Sequence, residues 1–213
     1  MKDIFIYGAG GFGREIACLI NRINKKKPEW NIVGFLDDGK PIGYRNEYGE
    51  VVGNIDFINS HLEEISVVFA IGNPNTLNKL TSSITNPKIA FPNVIDPDVL
   101  FLDEKNVHMG KGNVICAKCV VSCNVELGHF NLFNIGVGIG HDTKMGNCNV
   151  IMPNVNISGG VVIGDQNFLG VKSTVLQYLK IGNKITLGAN SLLIRNPKDN
   201  MLYMGSPAKK IEI

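Results

Sequence analysis

His141 and Asp142 are adjacent residues whose types suit acid–base chemistry. An imidazole titrates near neutrality, so it can take a proton from an attacking amine or hydroxyl group. A neighbouring carboxylate can fix the tautomer of the imidazole and stabilise the imidazolium that forms. The chain has three other histidines, His61, His108 and His129. Any of the four could be an ordinary polar turn residue, so the pair alone leaves two interpretations open, a general base or a turn.

A glycine-rich segment near the amino terminus suits the binding of a phosphate. Residues 8–13 read Gly-Ala-Gly-Gly-Phe-Gly, between an apolar run at 4–7 and an amphipathic stretch at 14–24. This order predicts a strand, a tight turn and a helix, and the amides at the start of a helix favour a phosphate. Taken alone, such a turn is also compatible with a strand-to-helix connection that binds no ligand.

Polar residues follow two further predicted strands. Asp37 and Asp38 follow an apolar run at 32–36, and Gly72 and Asn73 follow another at 67–71. Parallel strands bring their carboxyl ends to one edge of a sheet, where α/β folds bind ligands, so these residues favour a nucleotide site. Only about 90 residues are available for this domain, which is short for a complete dinucleotide fold. A mononucleotide moiety is therefore predicted.

From residue 107 onward the sequence divides into blocks of six. The third residue of each block is apolar at fifteen consecutive positions, from Met109 to Leu193, although apolar residues make up only 44% of the chain. A glycine follows that apolar residue every eighteen positions, at Gly110, Gly128, Gly146, Gly164 and Gly182. Three blocks therefore form one coil of a triangular prism, with Gly and Asn predicted at corners that need unusual backbone angles. Each coil depends on its neighbours for stability.

The order of these parts, ending in Gly-Ser-Pro-Ala-Lys at 205–209, resembles one family over nearly the whole chain. It is similar to the bacterial sugar O- and N-acyltransferases of the hexapeptide-repeat superfamily, which acetylate UDP-4-amino-sugars or sialic acid. The resemblance implies an α/β + β fold, with a Rossmann-like nucleotide-sugar-binding domain at 1–93. A left-handed parallel β-helix acetyltransferase domain at 94–213 follows, and it ends in a coenzyme-binding turn. The hand of the helix comes from the resemblance alone.

The resemblance also implies a role for individual residues. His141 and Asp142 occupy the family's catalytic His–acid position. The implied substrate-binding residues are Gly10, Gly11, Phe12, Asp37, Asp38, Lys40, Gly72, Asn73 and Asn134. The implied coenzyme-binding residues are Gly159, whose amide would face the thioester carbonyl, and Gly205, Pro207, Ala208 and Lys209. Many family members carry a histidine where this chain has Phe12, and a second one where it has Val150, so either a different acceptor sugar or an altered activity is expected here.

The expected reaction is acetyl transfer from acetyl-CoA to the 4-amino group of a nucleotide-linked amino-dideoxy sugar, with UDP as the expected nucleotide. The product would serve surface polysaccharide synthesis, and no metal is expected. The implied assembly is a homotrimer with acetyl-CoA between adjacent β-helices. O-acetylation of a sialic acid or another surface sugar would use the same base on a hydroxyl. A non-catalytic nucleotide-sugar-binding protein is a further alternative. A zinc-dependent hydratase is disfavoured, since the histidines do not reproduce the close pair of that family.

Charge, apolar runs and cysteine content disfavour several other classes of protein. The chain has 21 Lys and Arg against 19 Asp and Glu, a formal net charge of +2. The charged residues do not form a long block of one sign that would bind nucleic acid or an anionic membrane. The apolar run at 4–7 is too short for a signal-peptide core or a membrane span, and five cysteines without an export signal predict a cytoplasmic protein. Cys116, Cys119 and Cys123 fall on the repeat without a fourth ligand, so no metal site is predicted.

Overall fold

The computed structural model describes residues 1–212. The chain divides into two compact units, Met1–Pro97 and Asp98–Ile213, where the sequence predicts a boundary after residue 93. Each unit has its own sheet architecture, set by its own apolar pattern. No helix within the described residues is both long enough and apolar enough to cross a membrane.

The first unit is an α/β layer built on a twisted sheet. Its strands are β1 (Lys2–Tyr7), β2 (Trp30–Leu36), β3 (Arg45–Asn46), β4 (Gly49–Gly53), β5 (Ile65–Phe69), β6 (Ile89–Ala90) and β7 (Val94–Ile95). Its helices are α1 (Gly11–Lys26), α2 (Ile55–Ser60) and α3 (Pro74–Ser83). The first six strands form one sheet in the order β3-β4-β2-β1-β5-β6. Neighbours are parallel except for the antiparallel β3–β4 pair.

The predicted strand–turn–helix at the amino terminus is confirmed. The apolar run at 4–7 lies in β1, where all four residues are buried, and α1 buries Ile16, Leu19 and Ile20 on one face. A β-carbon on Gly13 would lie 1.9 Å from the carbonyl oxygen of Gly8. Glycine is therefore required there, because the first turn of α1 presses directly against the end of β1. The short β3–β4 hairpin and α2 have weak patterns and were not predicted.

The second unit is a prism of stacked coils. Its strands are Leu100–Phe101, Val107–Met109, Val114–Ile115, Val120–Val121, Val125–Leu127, Leu132–Phe133, Gly138–Ile139, Lys144–Met145, Val150–Ile151, Asn156–Ile157, Val162–Ile163, Phe168–Leu169, Thr174–Val175, Lys180–Ile181, Thr186–Leu187, Leu192–Leu193, Leu202–Met204 and Lys209–Ile211. A short 3-10 helix spans Glu104–Asn106. Between Val107 and Leu193 the strands form three parallel sheets in which partners are eighteen residues apart, as for Val120 and Gly138. The predicted period of six and coil of eighteen are confirmed.

The corners of the prism depend on backbone conformation more than on residue type. Every sixth residue from Gly112 to Asn190 has a φ between 54° and 72°, in the left-handed region. Gly and Asn hold six of these fourteen corners, as predicted, but Lys, Phe, Asp, Cys, Gln and Tyr hold the others. The glycines spaced eighteen apart lie elsewhere. A β-carbon on Gly128 would lie 2.5 Å from the carbonyl oxygen of Gly146, so these glycines allow adjacent coils to approach closely.

A column of buried asparagines ties the coils together. The side-chain oxygen of Asn131 accepts the backbone N–H of Asn149 at 3.0 Å, and the side-chain oxygen of Asn149 accepts that of Asn167 at 2.9 Å. The side-chain amides of the same residues donate to glycine carbonyls of the next coil, such as Gly164. Buried polar groups require such partners. The column fixes the register of one coil on the next, and it therefore fixes which residues stack at each corner.

Candidate active site

His141 and Asp142 form a hydrogen-bonded pair at one corner of the prism. Nδ1 of His141 lies 2.7 Å from Oδ2 of Asp142. The two side chains are 52% and 55% exposed, so both are accessible to a ligand. Asp142 is itself a corner residue with a φ of 58°, a conformation that aspartate tolerates better than most residues. The corner therefore places the carboxylate against the ring of the residue that precedes it.

Asn124 completes the hydrogen bonding of this carboxylate. Its side-chain amide donates to Oδ1 of Asp142 at 2.6 Å, from the equivalent corner of the preceding coil. The hydrogen bond from Asn124, followed by that from His141, lowers the pKa of the Asp142 carboxyl group below its usual value. The carboxylate therefore stays ionised as the pH falls to the point where an ordinary aspartate begins to protonate. The sequence analysis missed Asn124, although its spacing of eighteen residues from Asp142 marks it.

The imidazole of His141 covers a glycine of the following coil. A β-carbon on Gly159 would lie 2.4 Å from Nε2 of His141, within the volume that the ring occupies. The next residue, Gly160, donates its backbone N–H to the carbonyl of His141 at 2.7 Å. Within residues 1–212, the backbone N–H of Gly159 makes no hydrogen bond. A basic ring nitrogen and an available amide hydrogen therefore belong to neighbouring positions on one edge of the prism.

The other residues predicted for this site lie apart from the pair. Asn134 sits at the preceding corner of the same coil, next to Gly136, and its side-chain oxygen accepts the N–H of Ile135 at 2.7 Å. It makes no hydrogen bond with His141 or Asp142 in the described residues. Val150 is buried in a strand of another sheet, aligned between Leu132 and Phe168. A single prism therefore brings together the dyad and Gly159, but not Asn134.

The segment at 205–209 forms a turn at the end of the prism. It joins the strands Leu202–Met204 and Lys209–Ile211, which pair antiparallel. Gly205 has a φ of 103°, and its N–H donates to Oγ of Ser191 at 3.0 Å. Ala208 donates its N–H to the carbonyl of Leu192 at 2.7 Å, while Lys209 is exposed. The turn is thus fastened to the last coil, with a lysine at its exit that faces solvent.

In the first unit, the two predicted carboxylates hold the loops at the carboxyl edge of the sheet. Asp37 accepts the N–H of Ala9 at 2.8 Å through Oδ2 and the N–H of Gly39 at 2.9 Å through Oδ1. Asp38 accepts the hydroxyl of Tyr7 at 2.6 Å and the N–H of Ile55 at 3.2 Å. Burial, and then the hydrogen bond to Asp38, raise the pKa of Tyr7 above its usual value. Both carboxylates thus hold the loops at this edge of the sheet in place.

The glycines at this edge leave open space. A β-carbon on Gly10 or Gly72 would meet no atom within 4 Å, and one on Gly11 would approach only Arg14, at 3.9 Å. Their conformations do not require glycine, since none has a φ in the left-handed region. The three other residues predicted at this edge are placed as follows. Asn73 caps α3 by accepting the N–H of Thr76, Lys40 lies 3.8 Å from the ring centroid of Tyr44, and Phe12 is half-buried in the first turn of α1.

Comparison with known proteins agrees with this architecture. Residues 3–84 match the family model of the PglD N-terminal domain. The chain also superposes on WeeI from Acinetobacter baumannii AYE with a TM-score of 0.87 and 25% identity, covering 99% of this chain and 100% of that one. The two chains therefore share one fold over nearly their whole length. The predicted Rossmann-like unit followed by a left-handed parallel β-helix is therefore confirmed.

Two further structures of this fold were solved with ligands. The acetyltransferase domain of PglB from Neisseria gonorrhoeae FA1090, in complex with acetyl coenzyme A, has a TM-score of 0.87 and 24% identity, with 99% of each chain covered. A variant of perosamine N-acetyltransferase from Caulobacter crescentus, in complex with CoA and GDP-perosamine, has a TM-score of 0.88 and 22% identity. That match covers 100% of this chain and 98% of the other.

The described residues were also searched for side chains that could bind a metal ion together. Among residues 1–212, no three His, Cys, Asp or Glu side chains are grouped so that they could hold an ion. Cys116 and Cys119 are buried among the coils, while Cys123 is exposed at the equivalent corner of the coil that precedes His141. The corner of His141 presents an imidazole, a carboxylate and a backbone amide, with an exposed thiol on the corner stacked against it.

Proposed function

We propose that this chain transfers the acetyl group of acetyl-CoA to the 4-amino group of a nucleotide-linked amino sugar. The observation that carries the proposal is the His141–Asp142 pair over Gly159. It supplies a base and an amide donor at adjacent positions. The solved examples of this fold include an acetyltransferase domain bound to acetyl coenzyme A and a perosamine N-acetyltransferase bound to CoA. Thioester aminolysis requires both a base for the amine and a donor for the carbonyl oxygen.

The dyad acts by orienting and then stabilising the imidazole. With Nδ1–H directed at Oδ2 of Asp142, the lone pair of His141 lies on Nε2, on the side that covers Gly159. As the amine nitrogen forms its bond to the thioester carbon, Nε2 takes a proton from that nitrogen. Asp142, which hydrogen bonding keeps ionised, stabilises the imidazolium. The C–S bond then breaks, and the proton passes from Nε2 to the departing thiolate.

The backbone N–H of Gly159 is the donor proposed for the thioester oxygen. Negative charge accumulates on that oxygen when the amine attacks, and an amide fixed in a corner of the β-helix is already in place to receive it. Because the imidazole fills the space that a side chain at Gly159 would occupy, the carbonyl group of the substrate is proposed to approach the amide from beside the ring. The turn at 205–209, with Lys209 exposed, is proposed to hold a phosphate of the coenzyme.

A homotrimer would complete this site. Asn134 belongs to the corner that precedes the dyad, so one prism does not present both to the same ligand. If neighbouring prisms pack in a ring, the corner that bears Asn134 in one subunit can face the corner that bears His141 in the next. This arrangement would also enclose the long pantetheine chain of acetyl-CoA. We propose that the enzyme works as such a trimer, in the cytoplasm, where acetyl-CoA is available.

Turnover on a panel of acceptors tests the proposed reaction. Thiol release from acetyl-CoA should be measured with UDP-, GDP- and dTDP-linked 4-amino-sugars, with a sialic acid and with the corresponding 4-hydroxy sugars. The expected result is release with a nucleotide-linked amino sugar and none with its hydroxyl counterpart. Release with the sialic acid or a hydroxyl acceptor alone would establish O-acetylation instead. If none of the acceptors on the panel gives thiol release, the N-acetyltransferase proposal is excluded for these substrates.

The open glycines of the first unit provide a test of nucleotide binding. Gly10→Ala adds a methyl group that meets no protein atom, so the melting temperature should stay within about 2 °C of the native value. If a phosphate lies against this backbone, the same methyl group should raise the KM for the nucleotide sugar by about tenfold, with kcat nearly unchanged.

Gly13→Ala is the matched control, since its methyl group would overlap the carbonyl of Gly8 and should lower the melting temperature. An unchanged KM in Gly10→Ala would show that the nucleotide does not approach this turn. Gly72→Ala, which also places its methyl group in open space, extends the test to the end of β5.

A further inference from the structure

We propose that Asn124 is a positioning residue for the catalytic dyad. By donating its side-chain N–H to one oxygen of Asp142, it holds the other oxygen against Nδ1 of His141. The inference rests on the proposed function in that it treats His141 as the base. Three residues from two successive coils thus form one line of hydrogen bonds, from an amide through a carboxylate to an imidazole.

The geometry shows why the carboxylate needs a second contact. The side chain of Asp142 is 55% exposed, so packing does little to restrict rotation about its terminal bond. The plane of an exposed carboxylate rotates about this bond, and only part of that rotation places an oxygen at hydrogen-bond distance from Nδ1. The 2.6 Å hydrogen bond from Asn124 occupies one oxygen, and this leaves the other one for the imidazole. An amide nitrogen can only donate, so Asn124 selects the ionised form of Asp142.

The β-helix aligns the side chain of Asn124 with that of Asp142. Asn124 and Asp142 are equivalent corner residues of adjacent coils, with φ values of 54° and 58°. The backbone N–H of Asp142 donates to the carbonyl of Cys123 at 3.1 Å, which stacks one corner on the other. Two side chains leaving stacked corners in the same conformation run side by side. The contact is therefore built into the coil, and it does not depend on a mobile loop.

A purely structural role for the contact is less consistent with its pattern. At another corner, Asp165 also meets an asparagine of the preceding coil, Asn147, but its carboxylate accepts the backbone N–H of Asn147 at 2.6 Å. That aspartate holds one coil on the next. The carboxylate of Asp142 accepts hydrogen bonds only from the side chains of Asn124 and His141 in the described residues. Both of its contacts therefore serve the imidazole.

Two substitutions should move the pH dependence in opposite directions. In Asn124→Ala, Asp142 loses its anchor and stabilises the imidazolium less well, so the acidic limb of the kcat/KM profile should move to lower pH. In Asn124→Asp, a second carboxylate close to the dyad favours the imidazolium, so the limb should move to higher pH. A shift of about half a pH unit or more is expected in each direction, and Asn124→Ala should lose about tenfold in kcat/KM at neutral pH.

Other ionisable groups near this corner are the same in every variant. They are Cys123 in the preceding coil, the Glu126–Lys144 ion pair on the adjoining strands and Tyr178, whose ring would contact a β-carbon on Gly160. They form a common background, so the difference between the Ala and Asp variants reports on position 124. Asn154→Ala is the matched control, because Asn154 is an exposed corner residue with a φ of 58° whose side chain makes no hydrogen bond within residues 1–212.

The decisive measurement is an NMR titration of the His141 ring protons, assigned by comparison with His141→Ala. The midpoint should fall in Asn124→Ala, rise in Asn124→Asp and stay unchanged in Asn154→Ala. Equal midpoints in all four proteins would overturn the proposal, even if Asn124→Ala lowered activity or melting temperature. The titration needs no substrate, so a failure of the acceptor panel would reject the proposed reaction while this result still decided the role of Asn124.

Discussion

His141→Ala is expected to reduce kcat/KM for the amino-sugar acceptor by about a thousandfold, with a melting temperature within about 2 °C of the native protein. The variant removes the group at this corner that we propose takes the proton of the attacking amine. It should not disturb the fold, because the ring is 52% exposed and its backbone hydrogen bonds remain. Initial rates of thiol release at saturating acetyl-CoA, followed by the KM for each substrate, measure the effect.

The pattern of kinetic changes distinguishes a base from a binding residue. Loss of an interaction made only in the transition state lowers kcat and kcat/KM together, whereas loss of a binding contact raises KM alone. His108→Ala is the matched control, since His108 is also an exposed histidine of the β-helix but lies on a strand away from the dyad corner. If His141→Ala kept more than about a tenth of the native kcat, the general-base assignment would be wrong.

Asp142→Asn separates the negative charge of the carboxylate from its hydrogen bonding to the imidazole. Asparagine keeps the size of the side chain and tolerates the left-handed corner, so the fold should persist. The amide lacks the charge that stabilises the imidazolium. We therefore expect Asp142→Asn to lower kcat/KM by less than His141→Ala does. The size of that decrease measures how much of the rate depends on the negative charge of Asp142.

Much of the fold could be predicted because each unit has a recognisable pattern of apolar residues along the sequence. One apolar residue every six positions, with no insertion over fifteen blocks, can only be buried by a chain that turns a corner in each block. The glycines spaced eighteen apart were harder to interpret from the sequence. Gly128 and Gly146 are required for close contact between coils, while the corners themselves accept residues as large as Phe130 and Tyr178. Backbone conformation imposed by stacking overrides the local preference of those residues.

The site was less predictable, since its contacts depend on stacking between coils. The adjacency of His141 and Asp142 is visible in the sequence, but the Asn124 contact exists only because corners eighteen residues apart superpose. Similarly, Asp37 and Asp38 follow β2 as predicted, yet their hydrogen bonds to Ala9 and Tyr7 depend on where β1 lies in the sheet. Such cross-strand partners have no sequence motif of their own. They become visible once the coil length and strand order are known.

Gly159→Ala is expected to lower kcat/KM by about a hundredfold, although the backbone donor is retained. The added methyl group would lie 2.4 Å from Nε2 of His141, so the imidazole must leave its position over the corner. The ring is half-exposed and can rotate toward solvent, so the cost should appear in activity and not in stability. Gly140→Ala provides the contrast, because its methyl group would meet the backbone nitrogen of Gly159 at 2.5 Å and should lower the melting temperature.

A double-mutant comparison isolates the cause of the Gly159→Ala defect. In a His141→Ala background there is no imidazole to displace, so Gly159→Ala should reduce the residual rate by no more than about twofold. A further loss of tenfold or more in that background would mean that the methyl group obstructs the acetyl donor itself. Near-native activity of Gly159→Ala alone would show that the imidazole does not lie over Gly159 during turnover, and the adjacency of base and amide donor would no longer support the proposed mechanism.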